Sequence, residues 1–128
     1  MGTKQVSGLS AAEQADLGRA DSLAREIFSD VANKWAFLII ETLGDGTLRF
    51  SELRNSVDGI SHKMLTQNLR MLERNGLVER RVYPVVPPKV EYTLTDAGQG
   101  LRATVDSMCV WTHKYFDHIE SARRTFDS

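Results

Sequence analysis

The chain has 128 residues, 41% of them apolar and 26% charged, with a formal net charge of -1. That size suits one compact domain and leaves little room for an enzyme pocket beside its scaffold. The longest apolar run, Trp35 to Ile40, is far short of the roughly 20 residues of a spanning helix; the polar, Ala-rich start suggests no export signal; and the single Cys109 excludes an internal disulfide and suits a reducing cytoplasm.

Residues 1–18, with Gly2, Gly8 and Gly18, read as a flexible N-terminal arm or a weak helix, leaving 19–128 as a single domain. Two helices follow from Ser22. Leu23, Ile27 and Val31 recur at helical spacing, then Trp35, Leu38, Ile39 and Leu43 do so before Gly44 and Gly46 stop the second helix. "TLRF" is short and extended, and Ser51 suits the N-cap of "SELRNSV". The turn "DGI" breaks that helix and Ser61 caps a longer one over 61–75. A short helix, a tight Gly turn and a longer helix form the helix-turn-helix pattern.

The period then changes to two. Val90, Tyr92 and Leu94 fall on one face and Lys89, Glu91 and Thr93 on the other, predicting a hairpin over about 77–94 with Pro84, Pro87 and Pro88 at its tip. Thr95 opens a long helix over about 95–122, with an apolar stripe of Leu101, Val105, Met108, Tyr115 and Ile119. The expected class is mainly α with a small β-hairpin wing (α+β), a winged helix-turn-helix.

Charge is concentrated in the middle of this pattern. From Ser61 to Lys89 there are six basic residues against two acidic ones, so this stretch is +4 and the remainder -5. On helix 61–75, Met64, Leu65, Leu69, Met71 and Leu72 cluster on one side; Lys63, Thr66, Gln67, Arg70 and Arg74 take the other, with His62 on the flank. Ammonium, hydroxyl, amide and guanidinium groups are those that read base edges in the major groove, from the N-terminal end of a recognition helix. Arg80, Arg81 and Lys89 on the hairpin are expected near neighbouring phosphates. Alone, such a helix resembles any amphipathic surface helix; the helix-turn-helix before it and the basic hairpin after it point to nucleic acid.

The blocks "NKWAFLIIETL", "LRFSELRNSVDGISHKMLTQNLRMLERNGLVERRVY", "VPPKVEYTLTDAGQGL" and "VDSMCVWTHKYF" resemble the HxlR-type regulators of bacteria, close to the MarR-like group, from about Ser22 to Phe116. The resemblance implies a cytoplasmic, homodimeric transcription factor paired through its N-terminal and long C-terminal helices. It implies DNA contact by Arg49, Lys63, Thr66, Gln67 and Arg70, with Arg80 to Lys89 as the wing. Three departures stand out. Many members carry a Cys-Pro at the start of the first helix, and in some that thiol senses oxidants; here the position is Ser22-Leu23, and serine cannot form a sulfenic acid or a disulfide. The usual Gly-Gly before Lys-Trp is Ala32-Asn33, and Asn68 faces the apolar side where a basic residue is common.

Little else suggests chemistry. Cys109 lies beside the apolar stripe and reads as a packing residue. Asp106, Cys109, His113 and Asp117 share one side of the long helix at steps of three and four, a zinc-like ligand set; a solvated helix face shows the same spacing, so no metal or other cofactor is expected. Phe28, Trp35, Trp111 and Tyr115 are candidates to line an effector pocket between the long helix and the "KWAFLII" helix. No Gly-rich phosphate loop, HExxH motif or carboxylate pair in a cleft supports an enzyme. The expected function is sequence-specific reading of an inverted repeat in double-stranded DNA by a homodimer. The alternative is a winged-helix module that binds protein.

Overall fold

A computed structural model describes residues 8–128. The chain divides into two units, residues 1–33 and 34–128.

The first unit holds α1, Ala11–Val31. Its start is fixed by a reciprocal cap: the Ser10 hydroxyl accepts from the Glu13 backbone N–H at 3.1 Å, and the Glu13 carboxylate accepts from the Ser10 N–H at 2.9 Å. Two of the four orphan donors of a first helical turn are thereby satisfied. Over residues 11–18 the helix is thus the alternative found of the two expected there, an arm or a weak helix, and the helix start expected near Ser22 moves to Ala11. Gly18 lies inside the helix, where it lowers propensity without ending the run. Residues 1–7 of the expected arm lie outside the described residues.

The second unit runs α2 (Lys34–Leu43), β1 (Thr47–Arg49), α3 (Phe50–Ser56), α4 (His62–Arg74), β2 (Val78–Tyr83), β3 (Lys89–Leu94), α5 (Asp96–Lys114) and α6 (Phe116–Asp127). The fold is a winged helix, mostly helical with a three-stranded antiparallel sheet in the order β1-β3-β2. "TLRF" is more than a connector, since Thr47 pairs with Thr93, Leu48 with Tyr92 and Arg49 with Glu91. The core gathers Ile39, Ile40 and Leu43 of α2, Leu53 of α3, and Leu65, Leu69 and Leu72 of α4. Each such burial contributes roughly 1.5–3 kcal/mol. Tyr92 and Leu94 close the core from the sheet.

Glycines shape two joints. Gly59, at φ +80, turns the chain between α3 and α4. At Gly98 on α5, a Cβ would lie 2.1 Å from the Leu77 carbonyl oxygen, so the helix start and the residue leading into β2 approach as closely as glycine allows.

Two boundaries differ from expectation. α3 starts at Phe50, not after a Ser51 cap; the Glu52 carboxylate accepts from the Arg49 backbone N–H at 2.8 Å. The long helix is two helices, broken at Tyr115 (φ -107, ψ 16), and its second part continues to Asp127.

Candidate nucleic-acid interface

α4 begins at a well-made cap. The Ser61 hydroxyl accepts from the Met64 backbone N–H at 3.1 Å, which fixes the end of the helix that would enter a groove. The His62 ring lies 4.8 Å from that of Phe50, tilted by 50°. The starts of α3 and α4 are therefore joined by an aromatic contact through Phe50, a residue to which the sequence pattern assigns no role.

Along α4 the expected two faces are present. Leu65, Asn68, Leu69 and Leu72 are buried. Lys63, Gln67, Arg70 and Arg74 are exposed, and their steps of four, three and four keep them in one stripe. None of the three cations in that stripe makes an ion pair among the described residues. Thr66 differs from them: it is half-buried, and its hydroxyl donates to the His62 carbonyl at 2.8 Å. Asn68 acquires a physical role. Its amide donates to the Met64 carbonyl at 2.9 Å, satisfying a buried polar group within its own helix.

The hairpin cations do not form one surface. Arg80 stands opposite Tyr92 and shares with Arg70, Thr66, Glu73 and Phe50 a groove of about 360 Å³ between α4 and the sheet. Arg81 stands opposite Glu91, as does Arg49 from the other edge. On this outer face two carboxylates offset much of the charge of three cations: Lys89 pairs with Glu91 at 3.2 Å, and Arg81 with Glu79 at 3.7 Å. A hydrogen bond with Tyr83, then Lys89 and Arg49, hold the Glu91 carboxyl below its ordinary range, while Tyr83, then Glu79 and Glu91, push the Arg81 guanidinium up. The pleat therefore separates Arg80 from Arg49, Arg81 and Lys89, which the sequence reading had grouped as DNA contacts. The alternation seen in Lys89, Glu91 and Thr93, carried across to β2, contains that division.

Of the four residues considered for an effector, two line a common groove. Trp111 and Tyr115 rings lie 5.9 Å apart and line an apolar groove with His118 and Ile119. Trp35 instead lies against the Gly59 turn, with the Lys34 ammonium 4.5 Å from its ring, and Phe28 is an exposed residue of the first unit. Among the described residues no three His, Cys, Asp or Glu side chains come together as a metal site. Asp117 lies in α6, past the break at Tyr115, whereas Asp106, Cys109 and His113 lie in α5. Cys109 is exposed, which corrects the expectation of a packing residue. No helix among the described residues is long and apolar enough to cross a membrane.

Comparison with known proteins agrees with this geometry. The family model for the HxlR-like helix-turn-helix matches residues 30–120. An HTH-type transcriptional regulator of Methanothermobacter thermautotrophicus is 38% identical over 122 residues, 94% of this chain and 93% of its own. YtfH of Escherichia coli, also an HTH-type transcriptional regulator, is 40% identical over 119 residues, 93% of this chain and 94% of its own. The solved structure of the transcriptional regulator YtfH from Salmonella typhimurium superposes with a TM-score of 0.67 at 40% identity, covering 79% of this chain and 90% of that one. The chain therefore belongs to the HxlR-like helix-turn-helix family of transcriptional regulators.

Proposed function

We propose that this regulator binds double-stranded DNA sequence-specifically as a cytoplasmic homodimer that reads an inverted repeat. α4 enters the major groove, and the hairpin meets the backbone or the minor groove. The observation that carries the reading is the stripe of Lys63, Gln67, Arg70 and Arg74, whose cations have no carboxylate partner among the described residues. Unneutralised cations beside an amide donor and acceptor match phosphates and base edges together. A protein-binding module gains little from such a face. Pairing of two chains is supported by the large apolar side chains that α5 and α6 leave exposed, among them Met108, Trp111, Phe116 and Phe126. Two-fold pairing would present the recognition helices about 34 Å apart, one helical turn of DNA.

Recovery of bound duplexes from a random pool, followed by titration at two salt concentrations, tests this. A shared two-fold motif should emerge, and Arg70→Ala or Gln67→Ala should cost roughly 1–3 kcal/mol on it if that residue reads a base. A pool that returns no motif, or variants that bind like the wild type, would overturn the assignment of this face.

A further inference from the structure

α5 is anchored at one end and bare along the other. Gln99 Nε2 donates to the Gly44 carbonyl at 2.8 Å. Arg102 Nη1 donates to the Asp45 carboxylate at 3.1 Å and to Gln99 Oε1 at 3.2 Å. These links tie one face of α5 to the end of α2 and the turn that leads to β1. That turn is shaped to receive them: Gly44 has φ +51, and Arg102 Nη2 passes 3.7 Å from where its Cβ would be. Arg102 is half-buried, and its Nε is shielded without a hydrogen-bond partner, so holding this guanidinium in place has a desolvation cost. Beyond the anchor, every residue from Asp106 to Lys114 is exposed.

We propose that Arg102 is a positioning residue for DNA reading: by locking α5 to the α2–β1 turn, it fixes the angle between the dimer-forming helix and the winged body. The separation of the two recognition helices follows from that angle. The inference rests on the paired, DNA-reading assignment above. Leverage makes the angle matter. The twelve helical steps from Arg102 to Lys114 span about 18 Å, so a tilt of about 10° moves the far end by about 3 Å, close to one base-pair step. A loose anchor would let the two helices wander across neighbouring half-site spacings, at little cost to either half-site.

The test uses the full chain carrying Cys109→Ser and Lys63→Cys, with a spin label at position 63 of each subunit and no DNA present. Pulsed dipolar spectroscopy then reads the distance between the two recognition helices directly. The parent should give one narrow distance. Arg102→Gln and Asp45→Ala should each spread or displace it, and the second removes a side chain that is 90% exposed, so it leaves the core intact. A melting curve confirms that both variants are folded. An unchanged distance in both variants overturns the positioning role and leaves pairing intact. Absence of any dipolar signal in the parent overturns the paired assignment, and the positioning role with it.

Discussion

Arg80 and Arg81 are adjacent in the chain and point to opposite faces of the sheet, Arg80 across from buried Tyr92 and Arg81 across from Glu91. Their contributions to DNA affinity should differ accordingly. Arg80→Ala removes a cation next to Arg70 with no carboxylate paired to it, and should weaken binding to all duplexes while lowering the salt slope by about one. Arg81→Ala removes a charge already offset by Glu79 and Glu91, so affinity should change little. Equal losses in a salt titration would mean that the outer face also contacts DNA.

The approach of α5 to Leu77, the residue before β2, gives a stability prediction. Gly98 has its would-be Cβ 2.1 Å from the Leu77 carbonyl oxygen, and that same oxygen accepts from the Thr95 backbone N–H at 3.0 Å. Neither atom can retreat without opening the cap of α5. Gly98→Ala should therefore cost roughly 1–3 kcal/mol, in the range of other overpacking changes. Urea unfolding measures it, and a neutral result would show that the helix start is free to shift.

Much of this was legible locally. The switch from a helical to a two-residue period marked the hairpin, and Ser61 with the Gly59 turn marked α4. The cap of α1 is legible too, as Ser10 followed by Glu13, although Gly18 interrupts the helical propensity behind it. Other features have no local signal. β1 is three residues long, and its pairing with β3 spans 46 positions at Thr47 and Thr93, a contact no window along the chain contains. The break at Tyr115 is marked by neither Pro nor Gly. Of the site, the α4 stripe follows from periodicity, whereas the contribution of Phe50 depends on two helix starts meeting in space.

Ser61 permits stability and recognition to be separated. Its hydroxyl is engaged by the Met64 backbone N–H, so Ser61→Ala should cost roughly 0.5–2 kcal/mol of folding stability. Ser61→Asp supplies an equally good cap and favours the positive end of the helix dipole, so the fold should keep its stability. It also places a carboxylate where a phosphate would approach, and DNA affinity should fall. Melting and binding measured on the same two variants should thus diverge. If Ser61→Asp binds DNA as well as the wild type, the start of α4 does not face the duplex.

Glu41 supplies the pH dependence of the α2–α5 junction. Desolvation, followed by the hydrogen bond and the negative charge of Asp106, raises its carboxyl above the ordinary 4.5, with Arg102 opposing. The folded protein thus holds this proton to higher pH than the unfolded chain does. By linkage, stability from this group is fully present below about pH 4.5 and is lost as pH rises through the folded value. At neutral pH the ionised Glu41 faces Asp106 as a like charge. Glu41→Gln removes that repulsion and can still donate to Asp106, so it should raise the melting temperature at pH 7. The gain should shrink on acidification and vanish near pH 4, where the wild-type carboxyl is itself protonated. A gain of the same size at both pH values would show that the effect lies in packing and not in the charge of the pair.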